Sequence, residues 1–492
     1  MRISDFLVHH GIQSNPFAEE DAQQDIVFQN GCLESARHPA WDKIFGDPEL
    51  PSTSIVFGEK GSGKTALKIQ MTGELEKYNQ SHPNEGDFVV QYDNFNPFLD
   101  AFQERFFKFR RTADTLLKNW KLWDHIDAIL TLGVTKLTDM ALEARDANGS
   151  TGQKINLDSL DQNQKSDFLL LAALYDQSPS GGQYNRWSKL RHRLGVSNWS
   201  AWKYFSMGIG LSALVVTAAV LLMLNTSVGF VNVALYSLIV MFIAFCPWLW
   251  RLVTQWMSVG SLWRNMRVRN FDQAPMRQIF LDIPVSRLSG QPMPTRAQSD
   301  DRYALLEKFS MLTKALGYKS IVILVDRVDE PYLINGSAPY MRSFIWPLLD
   351  NKLLKFSGVA FKALLPAELY DFAKKESKEF HERSRLDKQN MIASLTWTGQ
   401  SLYDLVNARL AACTDRTMKE VPETLEKLFD ANMTIDHLVV SLEKVRTPRR
   451  VFKFLYELMS EHVQSFTDQN PQWQIATSEF DGTLKRFLRE DF

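Results

Sequence analysis

Gly58-Glu59-Lys60-Gly61-Ser62-Gly63-Lys64-Thr65 meets the pattern G-x-x-x-x-G-K-[ST] at every fixed position, and it follows directly on the apolar run Ile55-Val56-Phe57. Behind it stand helix formers, Ala66-Leu67-Lys68-Ile69-Gln70-Met71. A Gly-rich turn can match a short pattern by accident, but a strand before it and a helix after it make an accident much rarer. Glycines let successive backbone N–H groups curl inward around an anion, and the helix that follows adds its amide dipoles. In such a loop Gly58, Glu59, Lys60, Gly61, Ser62, Gly63, Lys64 and Thr65 wrap a nucleotide triphosphate. Lys64 reaches the β- and γ-phosphates, and Thr65 offers its hydroxyl to Mg²⁺.

A second aliphatic run, Ile321-Val322-Ile323-Leu324-Val325, ends in Asp326-Arg327-Val328-Asp329-Glu330. Its unbroken apolar character suits a central parallel strand covered on both faces, and ligands bind at the carboxyl ends of such strands. This predicts a Walker B element in which Asp326 holds Mg²⁺ through water, and either Asp329 or Glu330 acts as general base toward the attacking water. Two more apolar runs, Phe88 to Tyr92 and Val359 to Leu365, complete a minimal doubly wound sheet. Lys362 interrupts the latter, as a γ-phosphate sensor or as an edge-strand lysine facing water. A guanine-specific Asn-Lys-x-Asp element is missing, since Asn351-Lys352-Leu353-Leu354 lacks the Asp, so ATP is the expected nucleotide.

The stretch between Lys64 and Asp326 is far longer than strand order demands, which implies one large insertion. Its first part, from about Ala101 to Leu194, reads as helical. From Tyr204 to Trp250 there is then no Asp, Glu, Lys, Arg or His, although 23% of the chain is charged. That gap divides at Asn225-Thr226-Ser227 into Met207–Leu224 and Val228–Trp250, each near the roughly 20 residues needed to cross the hydrocarbon core. A transmembrane hairpin is expected, with a hairpin buried in a soluble interior as the alternative. Gly208, Gly210, Ser212 and Ala213 give the first span small residues for close helix packing. Arg186, Lys189, Arg191, Arg193 and Lys203 precede the hairpin, and Arg251, Arg264, Arg267 and Arg269 follow it, so both ends should face the cytoplasm. The flank Arg186 to Arg193 suits anionic headgroups better than nucleic acid. Trp199 or Trp202, with Trp248, Trp250 and Trp256, reads as an interfacial belt or as an aromatic cluster.

Composition sets the remaining bounds. A net charge of -1 over 492 residues gives no global argument for nucleic acid as a partner. Three scattered cysteines and nine dispersed histidines suggest neither a disulfide framework nor a structural metal, which fits a reducing cytoplasm. The N-terminus carries no apolar run of signal-peptide length.

After Pro366 the pattern turns helical, over Ser401–Leu410 and Val451–Val463. The latter opens with Arg446-Thr447-Pro448-Arg449-Arg450, where Thr447 suits the N-cap and Pro448 the first helical position. Arg449 then falls in the first turn of a lid helix, either reaching a phosphate or lying in solvent. Arg383, Arg385 and Arg409 are candidates for a finger acting across a subunit interface of a homo-oligomer.

The layout of a Walker A motif, a membrane hairpin, a strand ending in Asp-x-Val-Asp and a lid opening with Pro-Arg resembles the KAP family of P-loop NTPases. The resemblance implies an additional-strand ATPase of the signalling and regulatory kind, often met in phage defence. Arg327 stands where that family tends to have a second acid. The resulting expectation is an α/β P-loop NTPase parallel sheet with a large helical insertion, a transmembrane helical hairpin and a C-terminal helical lid. Its parts are residues 1–110 (first part of the core), 111–203 (helical insertion), 204–251 (hairpin), 252–372 (return segment and Walker B) and 373–492 (lid). The expected activity is slow, Mg²⁺-dependent ATP hydrolysis serving a switch at the plasma membrane, with both termini and the ATPase domain cytoplasmic. The alternatives are an ATP-gated membrane-disrupting effector and a DNA-transaction ATPase. The last would need a basic C-terminal helix, and residues 472–492 carry only Lys485, Arg486 and Arg489 against Glu479, Asp481, Glu490 and Asp491.

Overall fold

The computed structural model describes residues 1–106, 112–143, 155–179, 181–197, 202–225, 230–349, 352–388, 390–414 and 424–490. Trp199, the turn residues Thr226-Ser227 and Asn351 fall outside them. Five strands form an all-parallel sheet: β1 (Ser54–Gly58), β2 (Gly86–Tyr92), β3 (Tyr318–Val325), β4 (Val359–Pro366) and β5 (Met391–Ile392), in the order β2-β3-β4-β1-β5. β4 therefore lies between the two strands that carry the sequence motifs. Every residue of β1 and β4 is buried, as a parallel strand with both faces covered requires. The β1–β4 register runs from Ser54 opposite Lys362 to Gly58 opposite Pro366.

Both sequence readings of Lys362 are corrected by this arrangement. It sits on an interior strand, is buried, and its Nζ donates to the carbonyls of Ile44 and Phe45 at 2.8 Å each. An ammonium inside an apolar strand is tolerable because those carbonyls replace water. β5 has only two residues, too few to leave a periodic signature in the sequence.

The chain divides into two compact units, Met1–His82 with Gln91–Asp93 and Val322–Phe492, and Pro83–Val90 with Asn94–Ile321. In the first, the helices Gly399–Cys413, Ile435–Val445, Pro448–Ser465 and Thr477–Glu490 enclose an apolar core that also takes in Phe6, Leu7, Ile12 and Phe17 from the chain's N-terminal end. The α-amino group of Met1 donates to the Phe466 carbonyl at 2.9 Å, and the Gln13 N–H donates to the Cys413 carbonyl at 2.9 Å. Arg409 is buried here, donating to Asp25 at 2.5 Å and to the Pro16 carbonyl at 2.7 Å. A guanidinium consumed by a buried ion pair cannot serve as a finger, which removes Arg409 from that role.

The second unit holds the helices Leu122–Glu143, Gln162–Tyr175 and Gln183–Arg193, joined by buried ion pairs. Arg302 Nη2 meets Asp127 at 3.2 Å, and Tyr175 donates to the same carboxylate at 2.9 Å. Arg186 pairs with Asp176 at 2.9 Å, and Arg191 with Asp282 at 3.4 Å. Both arginines are buried, so the expectation that the flank Arg186 to Arg193 meets lipid headgroups is corrected for them. Arg267 and Arg269 are likewise engaged inside, on Asp124 and on the carbonyls of Leu174 and Asp176. Charge that looks solvated in sequence is here spent on holding helices together.

Two helices of this unit, Lys203–Asn225 and Phe230–Asn265, are long and apolar enough to cross a membrane. Only 11% and 6% of their most apolar windows are buried, so they do not form a hairpin tucked into a soluble interior. A Cβ at Gly208 would stand 3.0 Å from the Phe245 ring, which is the close approach that a small residue permits. Trp248 packs on Phe205, with ring centroids 5.4 Å apart, whereas Trp202, Trp250 and Trp256 are exposed. The second helix runs on to Asn265, past the Trp250 boundary set by the first following charge.

Candidate functional site

β1 delivers the chain to Gly58, and the loop then turns through Gly61 (φ +84°) and Gly63 (φ +95°) into the helix Lys64–Ser81. Both glycines lie in the left-handed region, where a Cβ is strained. Gly61 has a second reason to lack one, because its Cβ would sit 2.8 Å from Cβ of Arg449. Gly63 occupies the N-cap position and offers the first-turn N–H groups no side-chain acceptor. Lys64 Nζ donates to the Gly58 carbonyl at 2.7 Å and to the Glu59 carbonyl at 3.0 Å. Burial pulls this ammonium below the ordinary lysine range, against the charges of Asp329, Asp326 and Glu368, which favour the protonated form.

The two sequence motifs meet directly. Thr65 Oγ1 donates to Asp326 Oδ2 at 3.2 Å. Asp326 is buried, and that burial raises its pKa while Lys68 opposes the shift. Lys68, one turn along the helix from Thr65, is also buried; its Nζ lies 2.5 Å from Asp93 and 3.9 Å from Asp326. Sequence reading missed both Lys68 and Asp93. The signals available were an acid closing β2 and a lysine one helical turn after the motif threonine. Removing one partner from a buried ion pair costs about 3–5 kcal/mol. Lys68→Met is therefore expected to lower the urea midpoint of the detergent-solubilised protein by a corresponding amount, with Lys68→Arg retaining most of it. An unchanged midpoint for Lys68→Met would show that the pair contributes nothing.

Immediately after Asp326 the chain turns at Arg327, whose φ of +59° puts a non-glycine residue in the left-handed region at a cost of roughly 1–3 kcal/mol. After the turn the two candidate bases differ in exposure. Asp329 is half-buried, its carbonyl accepts the Gly336 N–H at 2.9 Å, and its charge is the leading carboxylate influence on Lys64. Glu330 also lines the cleft, but its side chain is 58% exposed and lies 3.5 Å from Arg327 Nε. Its pKa is raised by partial burial, which Arg327 counteracts.

Thr447 and Pro448 take the N-cap and first helical positions of Pro448–Ser465 as the sequence predicts, but the Thr447 hydroxyl makes no cap bond. Arg449 lies in the first turn, its N–H donating to the Gly61 carbonyl at 3.3 Å and its Nε 3.9 Å from Glu20. The first turn of the lid helix therefore rests on the Gly-rich loop. Arg383 and Arg385 lie at the end of the helix Lys378–Ser384 and do not line the cleft.

A cleft opens beside the loop. One wall is polar, with Lys64, Thr65, Asp326 and Asp329, and another is apolar, with Phe28, Trp397 and Phe452. Trp397 Nε1 donates to the Ser62 carbonyl at 2.9 Å, and its ring meets His38 edge-on at 4.9 Å. Neither Trp397 nor Phe28 belongs to a motif, and only folding brings them to the loop.

The donor set also tests whether Mg²⁺ suits this place. Thr65 and Asp326 supply two hard oxygens, and no group of three His, Cys, Asp or Glu able to hold a metal occurs among the described residues. A cation held by one or two side-chain oxygens and completed by phosphate is the usual Mg²⁺ arrangement, so the residues fit. Ser62 Oγ is buried without a hydrogen-bond partner, a polar group in the loop still lacking one. No family model, curated protein or solved structure matches this chain.

Proposed function

We propose that the chain is a membrane-anchored P-loop ATPase that works as an ATP-dependent switch. The observation that carries the reading is the 3.2 Å contact between Thr65 and Asp326, which joins the two motifs beside left-handed Gly61 and Gly63. The position of β4 between the motif strands supports the additional-strand class that the resemblance to the KAP family implies. Lys64 and the loop N–H groups bind and orient the β- and γ-phosphates, and Asp329 takes the proton of the attacking water. Thr65 and Asp326 hold Mg²⁺, which supplies neutralisation of phosphate charge. Arg449 couples the phosphates to the lid, because its helix begins on the Gly61 carbonyl.

The exposed apolar faces of Lys203–Asn225 and Phe230–Asn265 support anchoring in a bilayer, where exposure to lipid costs nothing. Both ends of the pair then face the cytoplasm, as does the ATPase unit. Signalling or phage defence is the setting that the family resemblance implies.

Titration calorimetry of the detergent-solubilised chain tests the nucleotide half. Saturable ATP binding is expected, weaker by at least about tenfold when Mg²⁺ is chelated, as the loss of a charge-assisted contact implies. Absence of binding would sink the reading. Alkaline carbonate washing tests the anchor, and release of the chain into the supernatant would remove the membrane half alone.

A further inference from the structure

The second apolar helix does not end where its crossing segment ends. Phe230 to Trp250 covers about 31 Å at 1.5 Å per residue, already the thickness of the hydrocarbon core. Beyond it Arg251 turns inward, buried, with Nη2 on the carbonyls of Leu281 and Ile283 at 2.7 and 2.8 Å. The outward face nevertheless stays apolar for three more turns: Trp250, Val253, Trp256, Met257 and Trp263 are 68%, 50%, 59%, 53% and 37% exposed. Their helical spacing makes one continuous stripe.

Along that stripe Leu252, Val253, Gln255, Trp256, Arg277 and Leu281 line an open groove that contains no carboxylate. Arg277 supplies its one charge. The guanidinium lies 5.2 Å from the Trp256 ring centroid, donates from Nη2 to Gln273 Oε1 at 2.7 Å, and leaves Nε without an acceptor. A cation stacked on an indole at the end of an apolar helix matches the chemistry of a lipid: an anionic headgroup on the guanidinium, and an acyl chain on the apolar wall.

We infer that this groove is a selective binding site for an anionic phospholipid. The inference rests on the membrane-anchored reading and is independent of nucleotide binding. Continuity with the crossing segment and the uncompensated positive charge select a lipid over a free anion, since a soluble phosphate gains nothing from the apolar wall.

The full-length chain is reconstituted in phosphatidylcholine vesicles with and without phosphatidylglycerol and carbonate-washed. It is then extracted in mild detergent, and the lipid retained per protein is quantified. The wild type is expected to retain phosphatidylglycerol about fivefold over its share of the vesicle, the effect of one cation at such a surface. Arg277→Gln should abolish the preference and Arg277→Lys should keep most of it. Val253→Asp alters only an exposed position, so its folding is safe, and it should abolish the preference by placing an acid in the groove. Arg296→Gln, at an exposed arginine that does not line the groove, should leave the preference unchanged. Enrichment that persists in both Arg277→Gln and Val253→Asp overturns the site. So does enrichment displaced by inorganic phosphate, which would mark a soluble-anion site. A wild type that survives the carbonate wash without preference overturns this inference alone, and one released by the wash overturns the membrane reading with it.

Discussion

Lys64→Ala is expected to weaken ATP binding by about 10- to 100-fold, the range that a lost hydrogen bond to a charged group produces. Its ammonium already sits among acceptors, on the Gly58 and Glu59 carbonyls, and near the carboxylates of Asp329 and Asp326. Burial disfavours the charged form there, so a triphosphate would gain a poorly solvated cation whose interactions strengthen away from water. Truncation to alanine also leaves buried Asp326 and half-buried Asp329 with less countercharge, so the binding loss should come with a measurable stability change. Titration calorimetry with ATP reads the first effect and a detergent-phase melt reads the second. Undiminished ATP affinity in a folded Lys64→Ala protein would remove the nucleotide site from residues 58–65.

Asp329→Asn should lower the rate of ATP hydrolysis by about 10²–10⁴-fold, the usual contribution of a positioned general base, while leaving ATP affinity within a few fold. Glu330→Gln should cost far less. The sequence leaves both carboxylates open, and both line the cleft, but the fold half-buries Asp329 and leaves Glu330 exposed. Asp329 shares the electrostatic environment of Lys64, whereas Glu330 is more exposed and lies beside Arg327. Single-turnover hydrolysis with pre-bound nucleotide separates this step from binding. A larger loss in Glu330→Gln than in Asp329→Asn would reverse the assignment, and Arg327 would then be its positioning partner.

The apolar runs that became β1, β2, β3 and β4 were legible because a parallel strand covered on both faces must be continuously aliphatic. The apolar pair was legible for a related reason, since a long stretch without a single charge is a property of composition alone. The lid helix opening at Thr447-Pro448 announced itself through backbone restriction at proline. Each of these is a local consequence of side-chain chemistry acting on its own segment of chain.

What the tertiary structure alone decided is which charges are spent and where. Lys362 read as a sensor or an edge lysine, Arg186 and Arg191 as lipid contacts and Arg409 as a finger, yet each is buried on internal acceptors that lie between 10 and 393 positions away along the chain. Lys68 and Asp93 carry no motif and nevertheless brace Asp326, and Trp397 and Phe28 wall the cleft. Local pattern reports whether a segment wants to be buried or regular. The partner that makes burying a charge affordable is chosen by packing between distant segments, and only the folded chain brings those together.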